Sequence, residues 1–253
     1  MAFADHDGVP VYYDARGDVA APALVLLHGF GSSSAHWKVL GYASAFERTH
    51  RVVLVDARGH GKSGKPHARE AYALGLRLGD VHAVLEAAGI RQAHFCGFSM
   101  GGWMALGMAL QAPERVASLT LVGAHPYAER FDAFAGVDGS DGDVFLAAFE
   151  RFLGEPLGPE ARRMLLLNDL RALCAAAIDR DSMEAGFLRL PMPVQVCVGE
   201  HDQRHVPAHR AAQAKGARFV AIPGVRHADT LNATGTLIPA IKQFIAGAEQ
   251  GVL

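Results

Sequence analysis

Short, almost uninterrupted apolar segments recur along this chain, and each is followed by a stretch of helical character. The segments are Ala23–Leu27, Val52–Val55, Ala93–Cys96, Leu119–Val122, Val194–Val198 and Phe219–Ile222. A strand wetted on one face alternates apolar with polar residues, whereas a strand covered on both faces does not. The segments therefore read as strands buried on both sides. Helical stretches near 35–48, 71–89, 100–112, 207–215 and 229–247 read as the layers that cover them. Alternation of this kind produces right-handed crossovers and a mostly parallel sheet. The predicted class is α/β, with a doubly covered sheet. Val9–Tyr13 reads as an edge strand, because Pro10 has no amide hydrogen for a second neighbour.

The rhythm lapses from residue 124 to residue 192, where helical patterns near 143–153, 159–178 and 181–189 occur without a convincing strand. An insertion of that size between two strands predicts a helical cap over one end of the sheet. Residues 1–123 and 193–253 are thus expected to form the core and 124–192 the cap. Within the cap, the acidic Asp138–Asp143 stretch reads as an exposed loop, since no Glu closes it at the spacing a calcium loop needs. A chain of 253 residues can bury a large core without disulfides. Its three cysteines, Cys96, Cys174 and Cys197, lack CxxC spacing, so neither a disulfide framework nor a zinc site is implied. A net charge of −2 offers no footprint for nucleic acid. No apolar run is long enough to cross a bilayer, and the first residues lack the basic-then-apolar order of a secretory signal. The expectation is a cytoplasmic monomer or homodimer whose partner is a small molecule, without nucleic acid or membrane.

The densest chemistry lies at Gly97-Phe98-Ser99-Met100-Gly101, directly after the strand 93–96 and directly before a helix. A serine on so sharp a strand-to-helix turn exposes its hydroxyl, and only glycines leave room for the neighbouring elements. The helix start behind it supplies free amides and positive dipole potential. A hydroxyl needs a base to attack near neutral pH, and the base needs an orienting acid. Asp202 follows the strand 194–198 and His227 follows the strand 219–222. Both loops lie at the C-terminal strand ends, where open α/β sheets gather their functional groups. Glu200 is the rival acid, but its longer side chain starts closer to the strand. The natural oxyanion donors are the amides of Met100 and of Phe30, the latter in the loop His28-Gly29-Phe30-Gly31. His28 is expected to brace that loop. Gly61-Lys62-Ser63 suggests a phosphate loop, yet Asp56 stands where that motif requires glycine. His201, His205 and His209 fall at helical spacing but read as solvated residues, so no metal and no cofactor is expected.

Taken together, His28–Gly31, Asp56–Ser63, Gly97–Gly102 and the late Asp202 and His227 resemble, in order, the motifs of the α/β-hydrolase superfamily. The similarity is to its cap-bearing esterase, lactonase and C–C hydrolase branch. The resemblance implies Ser99 as nucleophile, Asp202 as acid, His227 as base, and the Phe30 and Met100 amides as oxyanion hole. It also implies a substrate pocket shaped by Phe30, Trp103 and cap residues such as Met164 or Phe187. Epoxide hydrolases and haloalkane dehalogenases of this fold carry aspartate where Ser99 stands. Phe98 and Ala228 depart from the Asn and Trp usual in hydrolases of meta-cleavage products. The expected activity is hydrolysis of a small carboxylic ester or lactone through an acyl-enzyme. A C–C hydrolase of a dienone acid, using a cation such as Arg189, is an alternative; so are a cofactor-free perhydrolase and a hydrolase-fold ligand receptor.

Overall fold

In the computed structural model, which describes residues 2–252, the strands form one eight-stranded sheet. They are β1 (Ala2–His6), β2 (Val9–Arg16), β3 (Ala23–Leu27), β4 (Arg51–Val55), β5 (Ala93–Phe98), β6 (Val116–Val122), β7 (Val194–Gly199) and β8 (Arg218–Ile222). Their order is β1-β2-β4-β3-β5-β6-β7-β8. The β1/β2 and β2/β4 pairs are antiparallel, and the pairs from β4 to β8 are parallel. The edge is therefore β1 and not the segment holding Pro10. Pro10 is tolerated inside the sheet because β4 pairs with β2 only from Tyr13 to Arg16, so no β4 carbonyl awaits an amide there.

The parallel strands send alternate residues into two separate cores, which is why their sequences are apolar throughout. Leu24, Leu26, Val52, Leu54, Cys96 and Cys197 pack on one face, while Val25, Leu27, Val53, Val55, Phe95, Val196 and Val198 pack on the other. Helices α1 (Ser34–Val39), α2 (Tyr42–Phe46) and α10 (Thr234–Glu249) cover the first face. Helices α3 (Leu74–Ala87), α4 (Met100–Gln111) and α9 (His205–Lys215) cover the second. All three cysteines are buried and free, and burial pushes the Cys197 thiol up to about 12. None of the described helices is long and apolar enough to cross a membrane.

Between β6 and β7 the chain builds α5 (Gly142–Leu153), α6 (Pro159–Leu166), α7 (Leu170–Ala176) and α8 (Glu184–Phe187). Glu129 and Arg180 pair through their backbones at 3.0 and 2.9 Å and close the base of this insertion. Two long helical patterns in the sequence prove to be broken. The stretch 35–48 splits at Gly41, whose φ is +80°. The stretch 159–178 splits where Asp169 turns to cap α7, accepting from the Ala172 amide at 3.0 Å. Leu165 packs beside Gly31, and the Asn168 side-chain amide donates to the Gly31 carbonyl at 3.1 Å. The insertion thus rests on the loop after β3.

Candidate active site

Strand β5 runs directly into α4 through Ser99, whose φ of +52° and ψ of −110° lie outside the regions a side chain normally tolerates. Such a conformation costs on the order of 1–3 kcal/mol and persists only when its surroundings impose it. Here they do. The Ser99 amide donates to the Val122 carbonyl at 2.8 Å, and its carbonyl accepts from the Trp103 amide at 3.0 Å. A side chain at Gly97 would lie 2.1 Å from the Gly101 carbonyl oxygen, and one at Gly101 would lie 2.1 Å from that of Leu27. Ser99 ends up 7% exposed.

Three buried side chains from separate loops meet there. The His227 ring lies 3.0 Å through Nε2 from Ser99 Oγ and 2.6 Å through Nδ1 from Asp202 Oδ2. A carboxylate can only accept, so Nδ1 carries the proton; Nε2 is then the acceptor and the serine hydroxyl donates to it. Asp202 Oδ1 accepts from the Arg204 amide at 2.9 Å, which orients the whole carboxylate. Burial works against its ionisation but is outweighed by His227 and Arg204, and the Asp202 carboxyl is held below its ordinary value. Burial, reinforced by the Arg204 charge, pulls His227 below the usual histidine range, against the pull of Asp202 and Glu129. The imidazole is therefore neutral and able to accept a proton at neutral pH. Glu200 is exposed and accepts from the Gly224 amide at 3.2 Å, away from the ring.

The loop after β3 approaches from the other side. His28 is buried; its Nε2 accepts from the Ala57 amide at 3.0 Å, so its Nδ1 donates to the Gly29 carbonyl at 2.8 Å. It braces the loop that carries Phe30. Among the described residues, neither the Phe30 nor the Met100 amide donates to another protein group. In the segment 56–63, Asp56 accepts from the Ser34 and Lys62 amides at 2.7 and 2.8 Å and fills the space beside Gly61.

The comparisons with known proteins agree with this architecture. A family model described as alpha/beta hydrolase fold matches residues 22–191. The chain belongs to that family. The chain is 35% identical over 148 residues to a pimeloyl-[acyl-carrier protein] methyl ester esterase of Aeromonas hydrophila, covering 58% of this chain and 54% of the relative. It is 29% identical over 166 residues to epoxide hydrolase 4 of Mus musculus, covering 66% of this chain and 44% of the relative. The matched region thus spans about half or less of these relatives' length. In fold it resembles the enol-lactonase of Burkholderia xenovorans LB400, with a TM-score of 0.81 at 22% identity over 96% of this chain and 99% of that one.

The insertion packs a cluster of aromatic rings on Phe30, in the loop after β3. Phe30 stacks on Phe149 at 5.8 Å and lies 6.2 and 6.0 Å from Phe131 and Phe134. The structure brings Trp103 to the same region, where it is buried under the Arg180 guanidinium at 5.1 Å. Phe187 is fully buried in the core beneath α8, and Met164 remains 51% exposed on the outer side of α6. The inward residue of α6 is Leu165, one position away, because a short helix capping a loop buries a single narrow stripe. Arg189 is exposed, whereas Arg58, Arg77, Arg180 and Arg204 are buried.

Three further groups escaped the sequence reading. Phe98 stacks on the His227 ring at 5.1 Å and fixes its plane. Gly123, at φ +58°, leaves room for that ring, since a side chain there would sit 3.1 Å from His227 Cε1. Glu129 joins Arg204 Nε at 2.8 Å and Arg180 Nη1 at 2.6 Å, and although burial opposes its charge, the two arginines hold it down to about 2. Phe98 lies inside the glycine-flanked serine motif, so its position was a usable signal, whereas Gly123 follows a strand to which no function was assigned. Glu129 carried none.

Proposed function

We propose that this hydrolase cleaves a small carboxylic ester or lactone by two-step acyl transfer to water, with Ser99 as the nucleophile. The observation that carries the reading is the continuous relay from Ser99 Oγ through His227 to Asp202, at 3.0 and 2.6 Å, beside two undonated backbone amides. Ser99 attacks the carbonyl while His227 Nε2 takes its proton. The oxyanion settles on the Phe30 and Met100 amides, each worth roughly 10²–10³ in rate. His227 then protonates the leaving alkoxide and activates the water that releases the acyl group. Asp202 stabilises the transient imidazolium and stays ionised. This chemistry requires no cofactor. The aromatic wall of Phe30, Phe131, Phe134 and Phe149 favours a compact apolar group on the substrate, with the insertion acting as the cap that excludes water.

The test is hydrolysis of p-nitrophenyl esters from acetate to laurate, with γ- and δ-lactones alongside, by the wild type and Ser99→Ala. Turnover with a preference for short chains, falling by on the order of 10³-fold or more in the variant, is expected. Undiminished turnover in folded Ser99→Ala would remove the serine from its role.

A further inference from the structure

At the end of the sheet opposite Ser99, three side chains from distant parts of the chain converge. His50 lies just before β4, His94 is the second residue of β5, and Glu249 ends α10. His50 Nε2 is 3.4 Å and His94 Nε2 is 3.6 Å from Glu249 Oε1, and the three atoms lie within 4.8 Å of one another. The other ring nitrogens are already occupied. His94 Nδ1 is 2.8 Å from Ser118 Oγ, and His50 Nδ1 is 2.9 Å from Thr49 Oγ1. A hydroxyl meets each Nδ1, both Nε2 atoms lie beside the carboxylate, and His50 Nε2 is buried without a hydrogen bond.

We infer that His50, His94 and Glu249 form a binding site for a borderline divalent transition metal of the zinc type. Two imidazoles and a carboxylate suit such an ion, whereas calcium and magnesium favour oxygen-only sets. Bonds of 2.0–2.2 Å in a tetrahedron place ligand atoms about 3.3–3.6 Å apart. The two histidine–glutamate separations already match, and the gap between the imidazoles has to close by about 1.5 Å at most. The hydroxyls of Ser118 and Thr49 act as outer-shell partners that orient the rings. Glu249 is about one-third exposed, so the ion has a route in and a water can complete the shell. The metal clamps the end of α10 to the underside of the sheet. It takes no part in the proposed reaction, since five residues of extended chain put Ser99 about 16 Å from His94. No motif announces the site, because its ligands are scattered from residue 50 to residue 249.

Chelator-treated protein is titrated with Zn²⁺ by calorimetry, and its melting temperature is followed with and without the ion. Wild type is expected to bind one equivalent and to melt about 5–10 °C higher when the metal stands a hundredfold above Kd. Glu249→Gln, at the exposed end of α10, is expected to lose the binding and the shift while melting like the metal-free wild type, and His50→Gln to lose the binding and the shift. Co²⁺ in place of Zn²⁺ should give the visible absorption of a four-coordinate nitrogen and oxygen site. Absence of stoichiometric binding by wild type would overturn the assignment. So would equal binding by both variants, which would mark surface histidines such as His205 and His209 as the ligands.

Discussion

Arg204 does two opposed things for the residues around the proposed nucleophile. Its amide orients Asp202, and its guanidinium, with Nε on Glu129, keeps positive charge close to His227. Burial and that charge together lower the His227 pKa. A base with a lowered pKa stays neutral further into acid, so the acid limb of kcat/KM is expected below the ordinary histidine value of 6.5. Replacing Arg204 with Gln removes a charge that opposes protonation, so the limb should move to higher pH. A pH–rate profile of the two proteins checks this, and a limb that stays put or moves down would contradict it. At the same scale, Asp202→Asn should lower kcat by on the order of 10⁴-fold while Glu200→Gln leaves it nearly unchanged, because only Asp202 meets the ring.

At the scale of elements, the turn between β5 and α4 is held by what its neighbours leave empty. A methyl group at Gly101 would meet the Leu27 carbonyl oxygen at 2.1 Å, and backbone cannot swing aside as a side chain can. Gly101→Ala is therefore expected to cost about 3 kcal/mol or more and to reduce folded yield. Gly75, in the first turn of α3, has nothing within 4 Å and an ordinary helical φ. Gly75→Ala should stabilise by about 0.5–1 kcal/mol. Thermal denaturation of the pair measures the contrast directly; equal effects would mean that packing at the turn is looser than the geometry indicates. The hairpin from β1 to β2 turns at Asp7 and Gly8, with φ of +52° and +74°. An Asp-Gly pair is a recognised hairpin signal, so this edge was legible in the residues even though the strand before it was overlooked.

For the whole molecule, the junction of insertion and core is electrostatic as well as apolar. Glu129 follows β6, Arg180 precedes α8 and Arg204 precedes α9, and the carboxylate bridges both guanidiniums. Removing the negative member leaves two buried cations facing each other. Glu129→Gln is expected to destabilise by roughly 3–5 kcal/mol, seen as a fall of at least about 6 °C in Tm. Adding Arg180→Met should recover part of that loss, because one of the stranded charges is gone. Additive losses would show that the three groups do not act as a unit.

How much was legible follows from range. Short unbroken apolar runs alternating with helical stretches fit strands covered on both faces, so the parallel sheet and its covering helices were legible in local pattern. The glycine-flanked Ser99, and the positions of Asp202 and His227 after strands, were determined in the same way, since glycine spacing and strand ends are local properties. What the tertiary structure decided is everything that depends on distant side chains meeting. Asp202 rather than Glu200 faces His227 because β7 ends with one carboxylate turned inward and the other toward solvent. Leu165 rather than Met164 faces the loop because the break after α6 sets the helix's rotation. The Glu129 bridge and the His50, His94 and Glu249 cluster have no sequence signature, since their members approach one another only after the sheet has assembled.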